Sequence, residues 1–594
     1  MSAFVNSAYE NNELDILEAG HRADDPLKNK EIESNKKSRS LTVGYEALDH
    51  FVSKHQRAFK VFLLTLINVL ILIYFIFATL YWRNNNSEDG YNWCHGYGML
   101  IILFAFTYGG ILYHFVVKRF LGQTFVSCSR PLRYRIRSFR NRKYGDAVIQ
   151  TTIYTCIFGA IIVFLIFDTV GSRERLLSLI GIVILLSCGR IFSKHPDRIK
   201  WRPVLSGLTL QFVFGLITIR WKVGRTIFQC ISDKVATFLD FASSGISFVF
   251  SQWALDENVF AFASLSVIYY FSFIIQILYY LGVMQWIILR LGQFLQGITG
   301  ASICESVVCA SNTFIGMSES PLIIKPYLSK LTTSEIHTVM CAGFGTVSGT
   351  VLAAYVKFGA NPAHLITATL MAVPAALCFS KLFYPETEEI MVTGDNVHLE
   401  KSQDSSLMDA ATKGAMAAIP LVMGIIANII AFVSFIALLN SLLAWLCSLI
   451  GYENITFEWI LSRIFMPLSW IIGVPWDKCE YVGTLIGLKT VVNEFVAYQK
   501  LGEFKRENKI FGRTEAIATF AICGFANPGS VGIMLSILTS LAPDTREKIT
   551  NTIMRAFLAG CAVCFLTAST AGLLMDDEFV LGAMNSTATN TTAS

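Results

Sequence analysis

The sequence predicts an all-α polytopic membrane protein, and three features lead to this prediction: the composition, the long uncharged segments and two glutamates inside apolar segments. Hydrophobic residues make up 53% of the 594 positions and charged residues only 15%, whereas soluble globular proteins carry about 25% charged residues. The net charge of +5 is small for this length and indicates no nucleic-acid partner. The composition also excludes a disordered chain and a coiled coil.

Eleven apolar segments are long enough to be membrane-spanning helices. The first, 61–82, has 22 residues without a charge. At about 1.5 Å each, these residues cover the roughly 30 Å of a hydrocarbon core. The other ten lie near 96–117, 148–168, 175–193, 203–219, 259–289, 335–358, 363–384, 410–446, 514–541 and 549–575. Two further apolar segments, 296–330 and 458–500, are interrupted by charged and small residues.

The charges of the loops predict the orientation. The loop 118–143 has nine Lys or Arg and no acid, which places it in the cytosol by the positive-inside rule. The N-terminus is then cytosolic, and eleven spans leave the C-terminus outside. Two glycosylation sequons, beginning at Asn585 and Asn590, agree with that side. The segment 500–513 conflicts with this orientation. The count of spans places it outside the cell, although it has five Lys or Arg against two Glu.

Two glutamates stand in corresponding apolar contexts. Glu319 and Glu494 each lie in an interrupted hairpin, and ionisable side chains inside a membrane are usually functional. Each is followed by a span with Gly-Phe and further small or polar residues at its middle, 341–352 and 522–535. Freed backbone groups are tolerated at membrane depth only where they line a cavity or lie inside protein. Such paired broken segments indicate a secondary-transporter site, with close helix packing as the alternative.

Three motifs carry a family resemblance. NEFVAY at 493–498, CGFAN followed by Gly-Ser within 523–530, and the hairpin tip GMSESP at 316–321 resemble the concentrative, sodium-coupled nucleoside transporters. The chain is most similar to their purine-preferring members, and the resemblance is dense from 296 to 575. It implies an internal inverted repeat with two re-entrant hairpins. It also implies a homotrimer in the plasma membrane, whose transport parts move against a scaffold like elevators.

The resemblance assigns site residues position by position. It implies that the substrate, a nucleoside, is bound by Gly316, Met317, Ser318, Glu319, Thr350, Val351, Glu494, Phe525, Asn527 and Ser530. A carboxylate can accept hydrogen bonds from vicinal ribose hydroxyls, while amides and hydroxyls bond the edges of a base. The resemblance implies sodium as the coupling ion and no organic cofactor. The implied sodium ligands are the side chains of Asn312 and Thr346 and the carbonyls of Ile315 and Val347, and oxygen ligands suit a hard cation.

Four of these positions predict the substrate preference. By the resemblance, pyrimidine-preferring members have Ser-Gln at the positions that match 316–317 and Ser-Leu at those that match 350–351. This chain has Gly-Met and Thr-Val there. Gly316 leaves room for a two-ring base, Met317 offers a polarizable thioether for a large aromatic surface, and Val351 is one methylene smaller than Leu. We therefore expect purine nucleosides and uridine to be preferred. The alternative is that these four positions only pack the hairpin against the neighbouring helix.

The predicted division of the chain follows the same elements. It comprises a cytosolic tail (1–58), additional N-terminal transmembrane helices (59–168), scaffold helices and interfacial segments (169–295), the first hairpin with its broken helix and the next helix (296–384), a cytosolic loop (385–409), a long scaffold helix (410–457), the second hairpin with its broken helix and the last helix (458–575), and an extracellular tail (576–594).

Two other functions remain open from the sequence. The first is a proton-coupled or broad-selectivity nucleoside symporter of the same fold. In the proton-coupled case Glu319 or Glu494 would titrate, because a carboxylate at low dielectric can take a proton. A membrane enzyme or receptor is the more distant alternative. No Ser–His–Asp set, metal-ligand cluster or cofactor loop supports an enzyme, so we expect a transporter with membrane lipid around it.

Overall fold

The computed structural model describes residues 56–85, 93–94, 96–113, 145–257, 259–392, 402, 404–452 and 455–575. The chain forms two compact units, 1–134 and 135–594. The predictions for most of the N-terminal tail, for the basic loop 118–143 and for the C-terminal tail with Asn585 and Asn590 lie outside the described residues.

The described part of the first unit is a pair of packed helices, α1 (Gln56–Asn85) and α2 (Gly96–Leu112). The rings of Phe75 and Phe104 stack with their centres 4.3 Å apart. The Tyr108 hydroxyl donates to Oδ1 of Asn68 at 2.9 Å. Most apolar side chains between Val61 and Tyr81 are exposed, as expected for a helix that faces lipid.

Every regular element described in the second unit is helical. Its first helices are α3 (Gly145–Asp168), α4 (Leu176–Ile191), α5 (Trp201–Gly215), α6 (Lys222–Asp240), α7 (Ala242–Phe250), α8 (Gln252–Asp256), α9 (Val267–Tyr280) and α10 (Val283–Thr299). The first hairpin and its spans follow as α11 (Ile303–Ser311), the 3-10 helix Ser320–Lys330, α12 (Thr333–Gly345), α13 (Gly349–Lys357) and α14 (Pro362–Phe383). The last helices are α15 (Leu407–Ser448), α16 (Phe457–Ile471), α17 (Cys479–Val491), α18 (Glu494–Arg506), α19 (Gly512–Ile522), α20 (Pro528–Leu541) and α21 (Arg546–Leu574).

The same order of elements occurs twice in this unit. A span is followed by a second helix, a two-armed hairpin, a broken span and an unbroken span, first from α9 to α14 and again from α15 to α21. Polar caps begin the second half of each broken span. Ser348 accepts from the amide of Thr350 at 3.1 Å, and Asn527 accepts from the amide of Ser530 at 2.9 Å. These caps satisfy amides that a break leaves without helical partners.

Eight of the described helical segments are long and apolar enough to cross a membrane by length and composition, whereas the sequence predicts eleven spans. The other three predicted spans are present but shorter. Two are α2 and α4, with 17 and 16 residues, and the third is divided into α19 and α20, with 11 and 14. The division has a physical cause, because residues 523–527 hold a Gly and a capping Asn before Pro528.

The structure divides the second predicted hairpin, 458–500, into a separate helix, α16, and the hairpin itself, which is formed by α17 and α18. Helix α16 ends at Ile471, and Gly473 then adopts a φ of +107° just before Pro475. A positive φ suits Gly alone among common residues, so the chain turns here. The arms that carry the Glu494 tip are α17 and α18, and α18 continues to Arg506.

Several basic residues of 500–513 have partners within the protein. Lys505 pairs with Glu515 at 2.6 Å and Lys509 with Glu507 at 2.6 Å. The guanidinium of Arg513 donates to the carbonyl of Gly572 at 2.9 Å. The orientation of the termini stays a prediction.

Helix α21 packs directly on the break between α12 and α13. A Cβ at Gly560 would overlap with Cβ of Phe344 and lie 3.1 Å from its carbonyl carbon. Helices α12, α14 and α21 are mostly buried, whereas α15 is mostly exposed. The core of this unit therefore lies around the broken spans.

Replacing Gly560 with Ala should destabilise the protein by about 1–3 kcal/mol, because the backbone of the facing helix must shift. The measurement is thermal unfolding of the purified protein in detergent. Gly532→Ala is the matched control, since no atom lies within 4 Å of the added methyl there. Equal melting temperatures for the two variants would contradict the close packing of α21 on the break.

Candidate functional site

The tip of the first hairpin folds around its own carboxylate. Oε2 of Glu319 accepts from the backbone amide of Gly316 at 2.8 Å. A Cβ at Gly316 would lie 3.0 Å from that oxygen and 3.3 Å from Cβ of Ser348. Unless the neighbouring side chains move, only Gly fits at position 316. The backbone of the tip therefore lies close to the start of α13.

The tip of the second hairpin presents Glu494 to the second broken span. Glu494 is the first residue of α18, where the positive helix end favours a carboxylate. Its Oε2 accepts from Nδ2 of Asn527 at 2.7 Å, and both residues are buried. Behind it, the ring of Tyr355 stacks on Tyr498 at 4.2 Å and meets the edge of Phe495 at 5.2 Å. This aromatic cluster fixes the second hairpin against α13.

A cavity of about 550 Å³ lies between the two hairpin tips and the two breaks. All ten residues predicted to bind substrate line it: Gly316, Met317, Ser318, Glu319, Thr350, Val351, Glu494, Phe525, Asn527 and Ser530. The volume is in the range of small-molecule sites, about 300–1,000 Å³. The structure thus brings these residues together around one cavity, and their role in binding stays a prediction.

One face of α15 forms a further wall that the sequence analysis missed. Its lining residues recur every three or four positions, as expected for a single helix face: Ala417, Pro420, Leu421, Gly424, Ile425, Asn428 and Phe432. Asn428 is the amide in this otherwise apolar set. An Asn within a 42-residue apolar helix was the signal that could have indicated this face. Ser348 and Asn493 also line the cavity and were missed.

The four predicted sodium-binding residues are buried where the first hairpin meets the first break. The exposed fractions of Asn312 and Thr346 are 1% and 2%, and Ile315 and Val347 are also buried. A Cβ at Gly349 would lie 2.9 Å from the carbonyl oxygen of Phe314, so the hairpin tip touches the start of α13.

The Asn312 amide fits an oxygen site for a cation. Neither Oδ1 nor Nδ2 has a hydrogen-bond partner among the described residues, although buried amides nearly always have one. The Thr346 hydroxyl donates to the carbonyl of Ala342 at 2.7 Å, which leaves its oxygen lone pairs available as ligands. Within the described part of the chain, no three His, Cys, Asp or Glu residues form a metal-binding group.

Comparisons with known proteins agree with this geometry. Residues 180–253 match the N-terminal family model of the Na+ dependent nucleoside transporters, residues 364–572 match the C-terminal model, and residues 261–362 match a nucleoside recognition (Gate) model. Together these regions cover most of the chain. The chain belongs to the Na+ dependent nucleoside transporter family. This is a family of transporters and not of enzymes, as predicted.

Curated relatives in the family extend the match. Solute carrier family 28 member 3 of Eptatretus stoutii is 43% identical over 447 residues, which cover 73% of this chain and 65% of that protein. The chain thus spans slightly less than two thirds of that relative. Sodium/nucleoside cotransporter 2 of Mus musculus is 34% identical over 604 residues, covering 96% of this chain and 87% of that protein.

A solved structure confirms the predicted fold class. CNTnw in an inward-facing, substrate-bound state is 33% identical, with a TM-score of 0.64 over 68% of this chain and 98% of that one. The same protein in an outward-facing state gives 0.65. The fold of the second unit is therefore that of the family, with its inverted repeat, and it is consistent with elevator-type movement.

Proposed function

We propose that this protein is a sodium-coupled symporter that imports nucleosides across the plasma membrane. The observation that carries the proposal is the convergence of ten residues from both repeats on one cavity. No single segment could form this cavity, because its walls come from two hairpin tips, two breaks and α15. Family membership supports sodium-dependent nucleoside transport as the activity.

The polar groups of the cavity suit a neutral, hydroxyl-rich ligand with a flat base. Glu494 and Asn527 form a buried carboxylate–amide pair that can share hydrogen bonds with vicinal ribose hydroxyls. Glu319 and Ser318 line the same cavity and can meet a base edge. The apolar residues of α15 supply the remaining wall, as in most small-molecule sites.

The coupling ion proposed is sodium, held by Asn312, Thr346 and the carbonyls of Ile315 and Val347. The unpartnered amide oxygen of Asn312 supports this choice, since a buried oxygen without a donor can be satisfied by a hard cation. A proton taken up by Glu319 or Glu494 is the competing mechanism.

The decisive experiment is uptake of labelled inosine and uridine into vesicles that contain the protein, at two pH values. We expect uptake with an inward sodium gradient and little uptake when choline replaces sodium. Uptake that follows the proton gradient and ignores sodium would establish the proton-coupled alternative. Absence of uptake under every gradient would contradict nucleoside transport.

Purine nucleosides and uridine are the proposed substrates, with thymidine and cytidine poor. A pocket that differs by a methylene discriminates by only about 1–3 kcal/mol, so a preference is expected and not exclusion. Competition against labelled inosine is the measurement. The double variant Gly316→Ser with Met317→Gln should gain cytidine uptake, although a Cβ at Gly316 presses on the Glu319 carboxylate. Equal inhibition by cytidine and guanosine in the wild type would contradict the preference.

The assembly and topology proposed are a homotrimer in the plasma membrane, with a cytosolic N-terminus and an extracellular, glycosylated C-terminus. The exposed apolar surface of α15 supports an environment of lipid or neighbouring subunits for this helix. Glycosidase treatment of the Asn585→Gln and Asn590→Gln variants tests the side of the C-terminus.

A further inference from the structure

Lys489 is a buried lysine that the proposed site does not use. It lies in α17, the first arm of the second hairpin, and its side chain is fully buried. Its ammonium donates to Sγ of Cys564 at 3.7 Å and lies 6.0 Å from the centre of the Phe565 ring. Among the described residues no carboxylate forms an ion pair with this ammonium. A buried charge without an ion pair is costly, so its surroundings must favour a cation.

The surroundings of this ammonium are the carbonyl ends of two half-helices. Sγ of Cys564 lies 3.8 Å from the carbonyl oxygen of Gly345 and 3.5 Å from that of Cys523. Helix α12 ends at Gly345, and α19 ends one residue before Cys523. Helix C-termini carry partial negative charge from unpaired carbonyls. The ammonium is thus separated by one sulfur atom from the negative ends of both broken spans.

The same lysine lies beside the first break, which holds the proposed sodium ligand Thr346, and belongs to the hairpin that carries Glu494. The residue after Gly345 is Thr346, a proposed sodium ligand, and its carbonyl accepts from the amide of Phe525 at 3.4 Å. On the other side, α17 ends at Val491, two residues after Lys489, and Glu494 begins α18 three residues further on. Lys489 is therefore placed to affect both the cation and the nucleoside.

The two hairpins differ in whether their first arm carries a positive charge. The first arm of the first hairpin, α11, contains no Lys or Arg, and Asn312 after its end has an unpartnered amide. The corresponding arm of the second hairpin, α17, carries Lys489 in its last turn. The first arm of one hairpin thus leads to an oxygen site for a cation, and the first arm of the other hairpin itself carries a cation.

We propose that Lys489 is a covalently attached cation of the second repeat, which supplies there the charge that sodium supplies in the first repeat and so sets how many sodium ions accompany each nucleoside. Lys489 acts as a positioning residue, through Glu494 and the two helix ends. The inference rests on the proposed sodium–nucleoside symport. Removing the charge while leaving oxygen ligands and space should create a requirement for a further sodium ion.

The test compares Lys489→Gln with the wild type in voltage-clamped cells that express the full chain. Current and uptake of labelled inosine are measured together, which gives the charge moved per inosine. We expect the Gln variant to move one more charge per inosine than the wild type and to show a steeper sodium dependence. Lys489→Arg, which keeps the charge, and Cys564→Ala, which removes only the thiol, should keep the wild-type ratio.

Each other result also decides the question. An unchanged ratio in a Gln variant that transports contradicts the proposal. If the Gln variant binds inosine without transporting it, an unchanged sodium dependence of that binding contradicts the proposal, and a steeper one supports it. Folding of the variants is judged by size-exclusion chromatography. If the Gln variant fails to fold while the Arg variant folds, the charge is needed for folding alone, and this result also contradicts the proposal. A wild type without sodium-stimulated inosine uptake would instead remove the proposed function.

Discussion

Replacing Glu494 with Gln is expected to weaken nucleoside binding by roughly 10- to 150-fold, because a hydrogen bond to a charged group in a buried site contributes about 1.5–3 kcal/mol. Gln keeps the shape but removes the charge that strengthens the bond from Asn527 and the bonds proposed to the ribose. Glu319→Gln should lower affinity in the same range, since Glu319 faces the same cavity. The measurement is inosine binding to purified protein, with uptake kinetics beside it.

Glu503→Gln is the matched control for Glu494→Gln. Both residues lie on α18, but Glu503 pairs with Lys500 at the partly exposed end of the helix. Its replacement should leave binding unchanged, because exposed ion pairs contribute little. Wild-type affinity in both cavity variants, with normal expression, would contradict the placement of the nucleoside between the hairpin tips.

Removing a proposed sodium ligand should raise the sodium concentration for half-maximal uptake. For Asn312→Ala we expect an increase of about tenfold or more, on the scale of a lost bond to a charged group. Thr346→Ala should act in the same direction, whereas Thr346→Ser keeps the hydroxyl and should stay close to the wild type. The measurement is inosine uptake at a series of sodium concentrations with choline as the replacement ion.

The Ser variant separates a ligand from a packing residue. Thr346 and Asn312 are both buried, so loss of volume alone could slow transport. A lost ligand changes the sodium dependence, whereas a packing defect lowers the maximal rate at every sodium concentration. Unchanged sodium dependence in both Ala variants would favour the proton-coupled alternative.

The motifs predicted the hairpin tips and breaks well, because their chemistry is local. Gly316 and Glu319 are joined in one turn by a hydrogen bond from the Gly316 backbone amide to the Glu319 carboxylate. Asn527 caps the helix that follows it. Such contacts depend on residues a few positions apart, so the sequence contains them. The ten predicted substrate residues come together because each belongs to a tip or a break.

The wall from α15 could not be predicted in the same way. Most of this 42-residue helix is apolar all round, so its periodicity does not indicate which face meets the cavity. Asn428 is a signal of that face that the sequence analysis did not use. The start of the second hairpin was equally hidden, because α16 and α17 are both largely apolar and only a short segment with Gly473 and Pro475 separates them.

The basic residues of 500–513 have partners that a count of charges leaves out. A count of Lys and Arg in 500–513 treats each as free, whereas Lys505 and Lys509 have acidic partners and Arg513 binds backbone carbonyls. Lys489 had no part in the sequence analysis, and only the fold brings it near the ends of two half-helices. Partners distant in sequence decide the meaning of such charges.

The central claim, one cavity that couples a nucleoside to sodium, is tested most directly by a pair of equilibrium titrations on the purified wild-type protein. Inosine affinity is measured with and without sodium, and sodium affinity with and without inosine. Linkage requires that each ligand tighten the other by the same factor, and we predict a factor clearly above one in both directions. Inosine binding that does not change between sodium and choline would contradict the claim.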